Sequence, residues 1–544
     1  MSNNNIWDKY LSEQRLRGGS TTDEFRKKSE TLDNRSGAES DLGRVIFTTA
    51  ARRLHDKTQV FPLAYDDHTH SRLTHSLEVM NAGMSFALLM LGKENKDDNF
   101  KAKLANLGVN QVMVHRKIEP MLMTSCLVHD IGNPPFGHFG EEVVSDYFSG
   151  LIAEMKNYYE TGDCHNATAR FIVDSIKRGS NERIKYQTED LKKFLYDERF
   201  RQLDYTQFDG NAQGFRELTK LHYLGDLYGL NLTKGTLAST LKYPNTGECD
   251  KKGAVGMHKH GVFTTEAFHL DSIAKACDME VGNGQYKRQP LSFLMEAADS
   301  ICYNVMDLDD AYDKAIISID DVREALKDKG EETKESKAVD EIYTFLQGNH
   351  SMENDSSEWV TLRNSILKHL MDVAFTNFLD NFESICNGTY RNELLEDKLD
   401  ENGTPKDKGL YDETSEKLSE LCRKKVLSAG EVTSLEVTGR AVVTGLFDIY
   451  FGLLFHPDKK FRKRGLSLIS KNIVKTTMFE HIKSLQGNVA DKEIAKKVED
   501  EYNKKFDSEN LSIEEIFRIV RDQVAGMTDK FALDQYQKLS GQNI

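Results

Sequence analysis

Apolar residues recur at intervals of three and four along this chain, and this spacing constrains the fold more than any other feature. The pattern runs through segments 77–91, 118–128, 291–308 and 437–455. Residues at these intervals share one face of an α-helix, and alternating β-branched runs are few. The sequence therefore predicts an all-α, predominantly helical fold with at most minor short strands, for instance near 261–264.

The length and charge of the chain limit its architecture and its partners. Its 544 residues suffice for three or four domains, or for one large fold with elaborations. Lys and Arg number 72 against 87 Asp and Glu, which leaves a net charge of −15 that repels polyanions. A general nucleic-acid coat protein is therefore disfavoured, and a phosphate-bearing ligand needs local positive charge or a metal.

The start of the chain and its apolar runs bear on its location. No basic stretch followed by an apolar one opens the sequence, and the longest apolar runs, such as 86–91, are far shorter than the ~20 residues of a membrane span. The seven Cys are scattered without a Cys-x-x-Cys pair, which favours reduced thiols. We therefore expect a cytoplasmic protein with no signal peptide and no membrane span.

A His-Asp pair is the first candidate for chemistry. His129 and Asp130 close the apolar segment 118–128 and precede a turn rich in Gly and Pro. An imidazole and a carboxylate at one helix end can reach the same cation, and together they suit a borderline or hard divalent metal. The dipeptide alone is unspecific, so further ligands are needed to support a metal site.

Two other regions supply such ligands. Asp299 lies in the middle of an otherwise apolar helical segment, where a lone carboxylate is costly unless it is paired or binds a metal. Upstream of the His-Asp pair stand His68, His70 and His75, and His75 is expected to open an amphipathic helix over 75–91. Spacing alone does not choose among these three histidines.

A second candidate pair follows the turn. His138 and Glu141 are three residues apart, and a helix beginning near 139–148 would bring their side chains close together. The alternative is that Glu141 and Glu142 only complement the positive end of that helix.

These residues stand in the order of the HD metal-dependent phosphohydrolases, and the chain resembles the bacterial deoxyguanosine triphosphate triphosphohydrolases. The resemblance runs from about residue 40 to at least 310, with weaker echoes near 242–263 and 437–465. Its most specific part is the string HDIGNPPFGHFGE, because helix packing would not dictate thirteen successive positions. The matching stretches are Lys57–Leu63, Arg72–Val79, His129–Glu141, Asp209–Phe215 and Leu294–Tyr303.

The resemblance implies an HD-domain fold and a metal-dependent reaction. The substrate would be dGTP, with other deoxynucleoside triphosphates as candidates, and the products would be the deoxynucleoside and tripolyphosphate. His138 would exchange a proton at the scissile bond, and Glu141 would hold the imidazole in the useful tautomer. One divalent cation, Mn²⁺ or Mg²⁺, would be bound by His75, His129, Asp130 and Asp299.

The resemblance also implies contacts to the sugar and the base. Gln59 would lie near both, Tyr303 would close against the deoxyribose and exclude a 2′-hydroxyl, and Asp307 would accept a hydrogen bond from the 3′-hydroxyl. Asp299, Tyr303 and Asp307 follow at four-residue intervals and so share one helix face. The alternative for Tyr303 is an ordinary core aromatic.

Phosphate contacts are implied for a further set of residues. Two of them, Lys242 and Lys259, rest on short motifs that flank a Gly- and Lys-rich loop. Asn133 could instead only shape the turn beside the His-Asp pair. The full set is Arg72, Asn133, Lys242, Tyr243 and Lys259.

The expected organisation has three parts. Residues 1–40 form an N-terminal extension, and residues 41–315 form the phosphohydrolase core with a loop insertion at 240–260. Residues 316–544 form a helical C-terminal region that completes the substrate pocket and offers oligomer contacts. The charge-rich stretches 320–357 and 391–420 are expected to be solvated helices joined by surface loops.

Partners follow from the resemblance as well. Oligomeric rings occur in the family, so we expect a homo-oligomer, with a hexamer among the candidates. Single-stranded DNA or a dNTP is a candidate effector, and the basic cluster 462–464 with Lys471 is either such a patch or a solvated surface. The C-terminal third echoes the family only loosely, so the guanine preference is inherited from the resemblance.

Two other functions compete with this one. Another HD enzyme, a phosphomonoesterase or a pyrophosphatase, would share all the metal ligands but release phosphate or pyrophosphate. A catalytically silent nucleotide- or DNA-binding regulator would usually carry a broken ligand set. Here the four ligand candidates, His138 and Glu141 are all present.

Overall fold

A computed structural model shows a mainly helical protein. Its regular sheet, among the described residues, is one antiparallel pair, Glu280–Gly282 with Gln285–Tyr286. This confirms the predicted all-α fold with minor strands. The structure describes residues 6–18, 34–61, 63, 69–92, 98–178, 181–196, 202–247, 255–282, 284–326, 355–395, 413–428, 430–486, 489–504 and 506–542.

Helices account for most of the described chain. The α-helices are Trp7–Tyr10, Gly37–Ile46, Thr49–Arg53, Arg72–Leu89, Asp98–Asn106, Gln111–Met113, Glu119–Val128, Gly137–Thr161, Ala167–Lys177, Asn181–Tyr196, Leu203–Thr206, Gly210–Arg216, Lys234–Thr240, Ala267–Ala276, Pro290–Asp313, Ile319–Leu326, Asp355–Asp380, Phe382–Asn387, Glu413–Leu421, Gly430–Leu454, Lys459–Ser467, Lys471–Gln486, Asp491–Asn503, Ile513–Ala525 and Asp529–Leu539. Short 3-10 helices span Leu54–Asp56, Val255–Met257, Thr264–Glu266 and Ser508–Asn510, and π-helical turns span Val114–Ile118, Glu217–Leu221 and Cys422–Val426.

The strand expected near 261–264 does not form. The backbone N–H of Val262 donates to the carbonyl oxygen of Asn245, and the N–H of Thr264 donates to the carboxylate of Asp204. These two backbone N–H groups therefore donate to Asn245 and Asp204 and not to a neighbouring strand. The chain then continues directly into the 3-10 helix Thr264–Glu266.

Four helices position the candidate site and are named here by one residue each. They are the His75 helix (Arg72–Leu89), the Cys126 helix (Glu119–Val128), the His138 helix (Gly137–Thr161) and the Asp299 helix (Pro290–Asp313).

The His75 helix begins at Arg72, which corrects the expectation that residue 75 opens it. Ser71 and Thr74 form a reciprocal cap: the Thr74 N–H donates to the Ser71 hydroxyl at 3.3 Å, and the Ser71 N–H donates to the Thr74 hydroxyl at 2.9 Å. This cap satisfies backbone donors that the first turn leaves free. His75 thus lies one turn inside the helix, with its side chain fixed by helical geometry.

The first apolar cluster holds three of these helices together. The His75, Cys126 and Asp299 helices pack against one another, and the helix Asp355–Asp380 packs on the Asp299 helix. Gly83 permits the close approach, because a Cβ there would lie 2.5 Å from Cys126 Sγ. Helices from both sides of residue 315 therefore share one core. The division into 1–40, 41–315 and 316–544 stays a prediction.

The second apolar cluster joins the His138 helix to the C-terminal helices. Phe148 of the His138 helix contacts Phe447 and Phe517, with ring centroids 5.0 and 5.9 Å apart. A third, smaller cluster includes Val45, Ala50 and apolar residues from 230–241 and 262–279. The C-terminal region thereby packs directly behind the turn that carries His138.

One helix of the described residues, Thr433–Leu454, is long and apolar enough to cross a membrane by length and composition alone, with a mean hydropathy of 1.3. Its Val443, Leu446 and Phe447 are fully buried in the second cluster. In all, 44 % of its most apolar window is buried, and a single helix of this kind is weak evidence for a membrane span.

The charge-rich stretches are described only in part. Residues 327–354 and 396–412 lie outside the described residues, as do 248–254 of the predicted loop insertion. The described helix Ile319–Leu326 is amphipathic, since it buries Ile319, Val322 and Leu326. This part of the stretch is therefore not fully solvated as expected, because its apolar face packs into the first cluster.

Candidate active site

Three helices bring the four predicted cation ligands together. His75 is completely buried on the His75 helix, and His129 caps the C-terminal end of the Cys126 helix with Asp130 directly after it. Asp299 projects from the Asp299 helix, which packs across the other two.

The side chains of this group converge on one small space. His75 Nε2 and His129 Nε2 lie 3.3 and 3.2 Å from the same oxygen of Asp299, Oδ1. Asp130 Oδ1 lies 3.5 Å from His129 Nε2. Ligand atoms of His75, His129 and Asp130 all fall within 4.8 Å of one another. The protein therefore contains a His/Asp group able to hold a metal.

The hydrogen bonding of His129 fits a cation at this group. Its Nδ1–H donates to the carbonyl oxygen of Cys126 at 2.7 Å, which turns Nε2 toward the two carboxylates. Nε2 is buried and makes no well-aligned hydrogen bond among the described residues, although oxygens of Asp299 and Asp130 lie 3.2 and 3.5 Å away. Burial disfavours the imidazolium, yet Asp299 and Asp130 outweigh it and raise the pKa of His129 to about 10. The site attracts positive charge, and its oxygen and nitrogen donors suit a divalent cation.

Basic side chains neutralise the outer oxygens of the two carboxylates. Arg72 donates to Asp130 Oδ2, and Lys242 donates to Asp299 Oδ2. Burial would raise the pKa of each carboxyl, but Arg72 and His129 lower that of Asp130, and His129 and Lys242 lower that of Asp299. Both carboxylates are therefore ionised, as cation binding requires.

The structure distinguishes among the three upstream histidines. His70 Nδ1 lies 2.5 Å from Asp310 Oδ1, and His70 Nε2 lies 3.3 Å from Glu78 Oε1. Hydrogen bonds to these two carboxylates raise the pKa of His70 to about 10, so it is occupied in an ion-pair cluster of its own. His75 is the one grouped with His129, and His68 lies outside the described residues.

The second predicted pair is also in contact. His138 Nδ1 lies 3.1 Å from Glu141 Oε2, and Glu141 Oε1 accepts a hydrogen bond from the Gly210 N–H at 2.8 Å. This hydrogen bond to Glu141 raises the pKa of His138. His138 is 67 % exposed while Glu141 is buried, so a buried carboxylate orients an imidazole that faces solvent.

Short links connect this pair with the cation-ligand group. Asn133 Nδ2 donates to Asp130 Oδ1 at 2.7 Å. A Cβ on Gly210 would lie 2.2 Å from Asn133 Oδ1 and 2.6 Å from Glu141 Oε1, so only glycine fits between them. Asn133 and Gly210 therefore connect the cation-ligand group with the His138–Glu141 pair.

The predicted phosphate-binding residues lie around these groups. Besides Arg72, Asn133 and Lys242, Lys259 is near: its Nζ lies 3.4 Å from Asp209 Oδ2 and 6.0 Å from the centroid of the Tyr243 ring. Burial opposes its charge, but Asp209 and Glu141 raise the pKa of Lys259, so it is a fixed cation beside the His138–Glu141 pair.

Tyr303 and Asp307 lie one and two turns beyond Asp299. Burial and Asp310 raise the pKa of the fully buried Asp307 to about 8. Burial and the nearby charge of Asp307 raise the pKa of Tyr303, which is partly exposed. Gln59 Oε1 is buried without a hydrogen-bond partner in the described part of the chain. Asp307 Oδ1 likewise has no hydrogen-bond partner there, so Gln59 and Asp307 each keep one buried acceptor oxygen.

Comparison with known proteins places the chain among its relatives. A deoxyguanosinetriphosphate triphosphohydrolase from Yersinia enterocolitica is 30 % identical over 513 residues, which cover 92 % of this chain and 93 % of the relative. The chain belongs to the deoxyguanosinetriphosphate triphosphohydrolase family. A Yersinia pestis protein of the same name is 29 % identical over 517 residues, covering 92 % of this chain and 93 % of the relative.

Another relative and a domain match extend this result. A deoxyguanosinetriphosphate triphosphohydrolase-like protein from Listeria monocytogenes is 28 % identical over 546 residues, covering 98 % of this chain and 99 % of that protein. Residues 475–538 match the phosphohydrolase-associated domain. The similarity to this family therefore includes the C-terminal third of the chain, where the sequence motifs match the family only loosely.

Sequence reasoning missed several residues that build this triphosphohydrolase-family site. Lys57 is buried and its Nζ donates to the carbonyl oxygen of Asn133; burial and Arg53 lower its pKa to about 7. Gly210 fills the gap beside Glu141. Lys57 and Gly210 lie within the matching stretches and could have been singled out there, whereas their contacts depend on residues far away in the chain.

The C-terminal region is tied to the same site by buried charges. Arg216 pairs with Asp522 at 2.8 Å and with Glu266 at 2.7 Å, and all three side chains are completely buried. Asp529 accepts hydrogen bonds from the segment before the His75 helix and from the turn before His138. No sequence motif marks Asp522 or Asp529, because their partners come from distant segments.

Proposed function

We propose that this protein hydrolyses dGTP to deoxyguanosine and tripolyphosphate, with other deoxynucleoside triphosphates as further substrates. One observation carries the proposal: in a chain of this family, Asn133 and Gly210 connect a His/Asp group able to hold a metal with the His138–Glu141 pair. Family membership supplies the substrate class, and the geometry supplies candidate roles for the residues.

The cation would be Mn²⁺ or Mg²⁺, held by His75, His129, Asp130 and Asp299. A divalent ion bound there would offset charge on the phosphate oxygens and align them for in-line attack by water. The chain's own residues prepare this site. The backbone carbonyl oxygen of Cys126 fixes the tautomer of His129. Asn133 and Arg72 donate to the carboxylate of Asp130 and hold it in place.

His138 would exchange the proton at the scissile bond. Its Nδ1 faces Glu141, which leaves Nε2 for the substrate, and its exposure gives the substrate access. Glu141 raises the pKa of His138 and favours the protonated imidazole, which can give a proton to the leaving 5′-oxygen. Gly210 fixes the second oxygen of Glu141 and thereby its orientation.

Cationic side chains would hold the triphosphate. Arg72, Lys242 and Lys259 are three positive groups around the His/Asp group in a chain whose net charge is −15. Asn133 and Tyr243 would add neutral donors. Such donors bind phosphate oxygens without the repulsion that the protein's overall charge imposes.

The nucleoside would lie along the Asp299 helix. Tyr303 would pack against the deoxyribose and crowd a 2′-hydroxyl, Asp307 would accept from the 3′-hydroxyl, and Gln59 would face sugar and base. We further propose a cytoplasmic homo-oligomer, for which a hexamer is one candidate, with single-stranded DNA or a dNTP as effector. Lys463, Arg464 and Lys471 are candidates for such an effector contact. Arg462, expected in the same patch, is instead buried and paired with Asp507 and Glu509, so it is not available to an effector.

The test is to identify the phosphorus-containing product. Purified protein is incubated with dGTP and Mn²⁺, and ³¹P NMR follows the products, with EDTA-treated protein and GTP as controls. Tripolyphosphate that forms from dGTP and disappears with EDTA is the expected result. Pyrophosphate would indicate a pyrophosphatase of the same fold, and phosphate a phosphomonoesterase. Cation-dependent dGTP binding without any product would favour a silent regulator.

A further inference from the structure

Asp529 joins two separate segments of the site. It is the first residue of the helix Asp529–Leu539 and only 2 % exposed. Its Oδ2 accepts hydrogen bonds from the N–H and the hydroxyl of Thr58, at 3.0 and 2.7 Å. Its Oδ1 accepts one from the N–H of Phe136 at 2.8 Å. A single carboxylate of the phosphohydrolase-associated domain thus binds two elements of the core.

The backbone at Phe136 needs such support. Phe136 has φ +67° and ψ +20°, a left-handed conformation that is rare for a bulky residue. Gly137 follows at φ +59°. Strained backbone of this kind persists only where the surroundings determine it. The Asp529 carboxylate holds the Phe136 N–H in this turn.

A second C-terminal contact acts on the same residue. Gly439 of the helix Gly430–Leu454 faces the Phe136 ring, and a Cβ there would lie 2.8 Å from Phe136 Cγ. The ring therefore fits only because residue 439 is glycine. Two separate C-terminal helices thus determine the conformation of this turn.

The turn places His138 and lies against Arg72. The His138 helix starts at Gly137, directly after Phe136, so the direction of the turn sets where the His138 side chain begins. A Cβ on Gly137 would lie 2.5 Å from Arg72 Nη2, which shows how closely the turn packs on the guanidinium that pairs with Asp130.

Thr58, the other hydrogen-bond partner of Asp529, lies in a segment that also contacts Asn133 and Arg72. Thr58 lies between Lys57, whose Nζ donates to the Asn133 carbonyl oxygen, and Gln59. The carbonyl oxygen of Lys57 accepts from the Arg72 N–H at 2.8 Å. Asp529 therefore fixes the distance between the segment 57–59 and the turn 134–138.

We propose that Asp529 is a positioning residue for the reaction, acting through Phe136 and Thr58 to hold His138 in register with the cation-ligand group. It makes no contact with the ligands or with His138 itself. The proposal rests on the proposed function, because its kinetic effect is read from dGTP hydrolysis.

The test compares Asp529→Ala and Asp529→Asn with Asp534→Asn, a partly exposed aspartate on the same helix. The measured quantities are kcat and KM for dGTP, bound Mn²⁺ per chain, the thermal midpoint, and amide exchange of a peptide covering 130–140. A displacement of about 1 Å can cost a proton-transfer step about 100-fold. We expect kcat to fall about 10- to 100-fold in Asp529→Ala, with KM and Mn²⁺ content close to wild type and faster exchange of the Phe136 amide.

Asp529→Asn keeps one acceptor oxygen and should recover part of the lost kcat, because either Phe136 or Thr58 retains its bond. If Asp529→Ala does not fold, Asp529→Asn carries the test, with a reduced kcat and faster Phe136 exchange expected. The control Asp534→Asn should match wild type throughout.

Two results would overturn the proposal: a lower thermal midpoint with wild-type kcat per metal-loaded chain in both variants, or unchanged Phe136 exchange. A wild-type protein that hydrolyses no dGTP contradicts the proposed function instead. In that case the exchange of the Phe136 amide still decides whether Asp529 holds the turn.

Discussion

The buried carboxylate of Glu141 lies 3.1 Å from Nδ1 of the exposed His138 and is held from behind by the Gly210 N–H. The two residues therefore have different roles in the proposed reaction, because only the imidazole of His138 is accessible to a substrate. Glu141 would act by orienting His138 and by raising its pKa.

Removal of the imidazole separates chemistry from binding. His138→Ala should lower kcat by about 10²–10⁴, the usual range for a lost proton-transfer group, while Mn²⁺ content and dGTP affinity stay near wild type. Steady-state kinetics and metal analysis check this. An unchanged kcat would leave Glu141 and Glu142 with only the role of complementing the helix end.

Replacement of the orienting carboxylate should appear in the pH profile. Glu141→Gln removes the charge and hydrogen bond that raise the pKa of His138, so the limb of the kcat profile that belongs to His138 should move to lower pH. Glu142→Gln, its neighbour on the helix surface, is the matched control and should leave the limb in place. The same shift in both variants would show that general surface charge, not the contact with Glu141, sets this pKa.

Loss of a ligand should remove both metal and activity. Asp130→Ala removes a carboxylate ligand and leaves the cation undercoordinated. Asp130→Asn also removes the negative charge but disturbs the packing less, because its amide oxygen can still accept a hydrogen bond from Arg72. Turnover should be abolished and bound Mn²⁺ reduced in both, with the fold retained by circular dichroism. His68→Ala and His70→Ala should keep their metal. Stoichiometric metal and full activity in Asp130→Asn would rule out this site.

Sugar discrimination tests Tyr303. Tyr303→Ala should weaken dGTP use and raise GTP use relative to it, because both the crowding of a 2′-hydroxyl and the ring contact are lost. Tyr303→Phe keeps the ring and removes only the hydroxyl, so its dGTP to GTP ratio of kcat/KM should match wild type. Equal ratios in wild type and Tyr303→Ala would exclude Tyr303 as a specificity residue.

The buried Asp307 should make stability depend on pH. Burial and Asp310 raise its pKa to about 8, far above the value of about 4 for an unfolded chain. Between these values the folded state binds the extra proton, so its contribution to the free energy of unfolding falls as the pH rises through this window. Asp307→Asn should remove this decline, and the exposed Asp313→Asn should not. Thermal midpoints at pH values across the window provide the measurement, and parallel curves for wild type and Asp307→Asn would contradict the assignment.

The sequence predicted the parts of this protein that depend on local pattern. Three- and four-residue spacing identified the helices that carry His75 and Asp299, and the string 129–141 identified the turn and His138. The start of the His75 helix was misplaced, because the Ser71–Thr74 cap lies before the apolar pattern begins.

What the sequence left open depends on distant contacts. Spacing did not choose among three histidines, since the choice follows from His70 pairing with Asp310, 240 residues away. The acceptor role of Asp529 toward Phe136 likewise joins residues 393 positions apart. Such contacts are properties of the packed fold, and no local pattern in the chain records them.

The most direct test of the central claim is hydrolysis of dGTP in water enriched in ¹⁸O, with the products analysed by mass spectrometry. If water attacks the α-phosphorus, tripolyphosphate should carry one ¹⁸O atom and deoxyguanosine none, and the reaction should cease in Asp130→Asn. Labelled deoxyguanosine, or a reaction that yields pyrophosphate or phosphate in place of tripolyphosphate, would contradict the account.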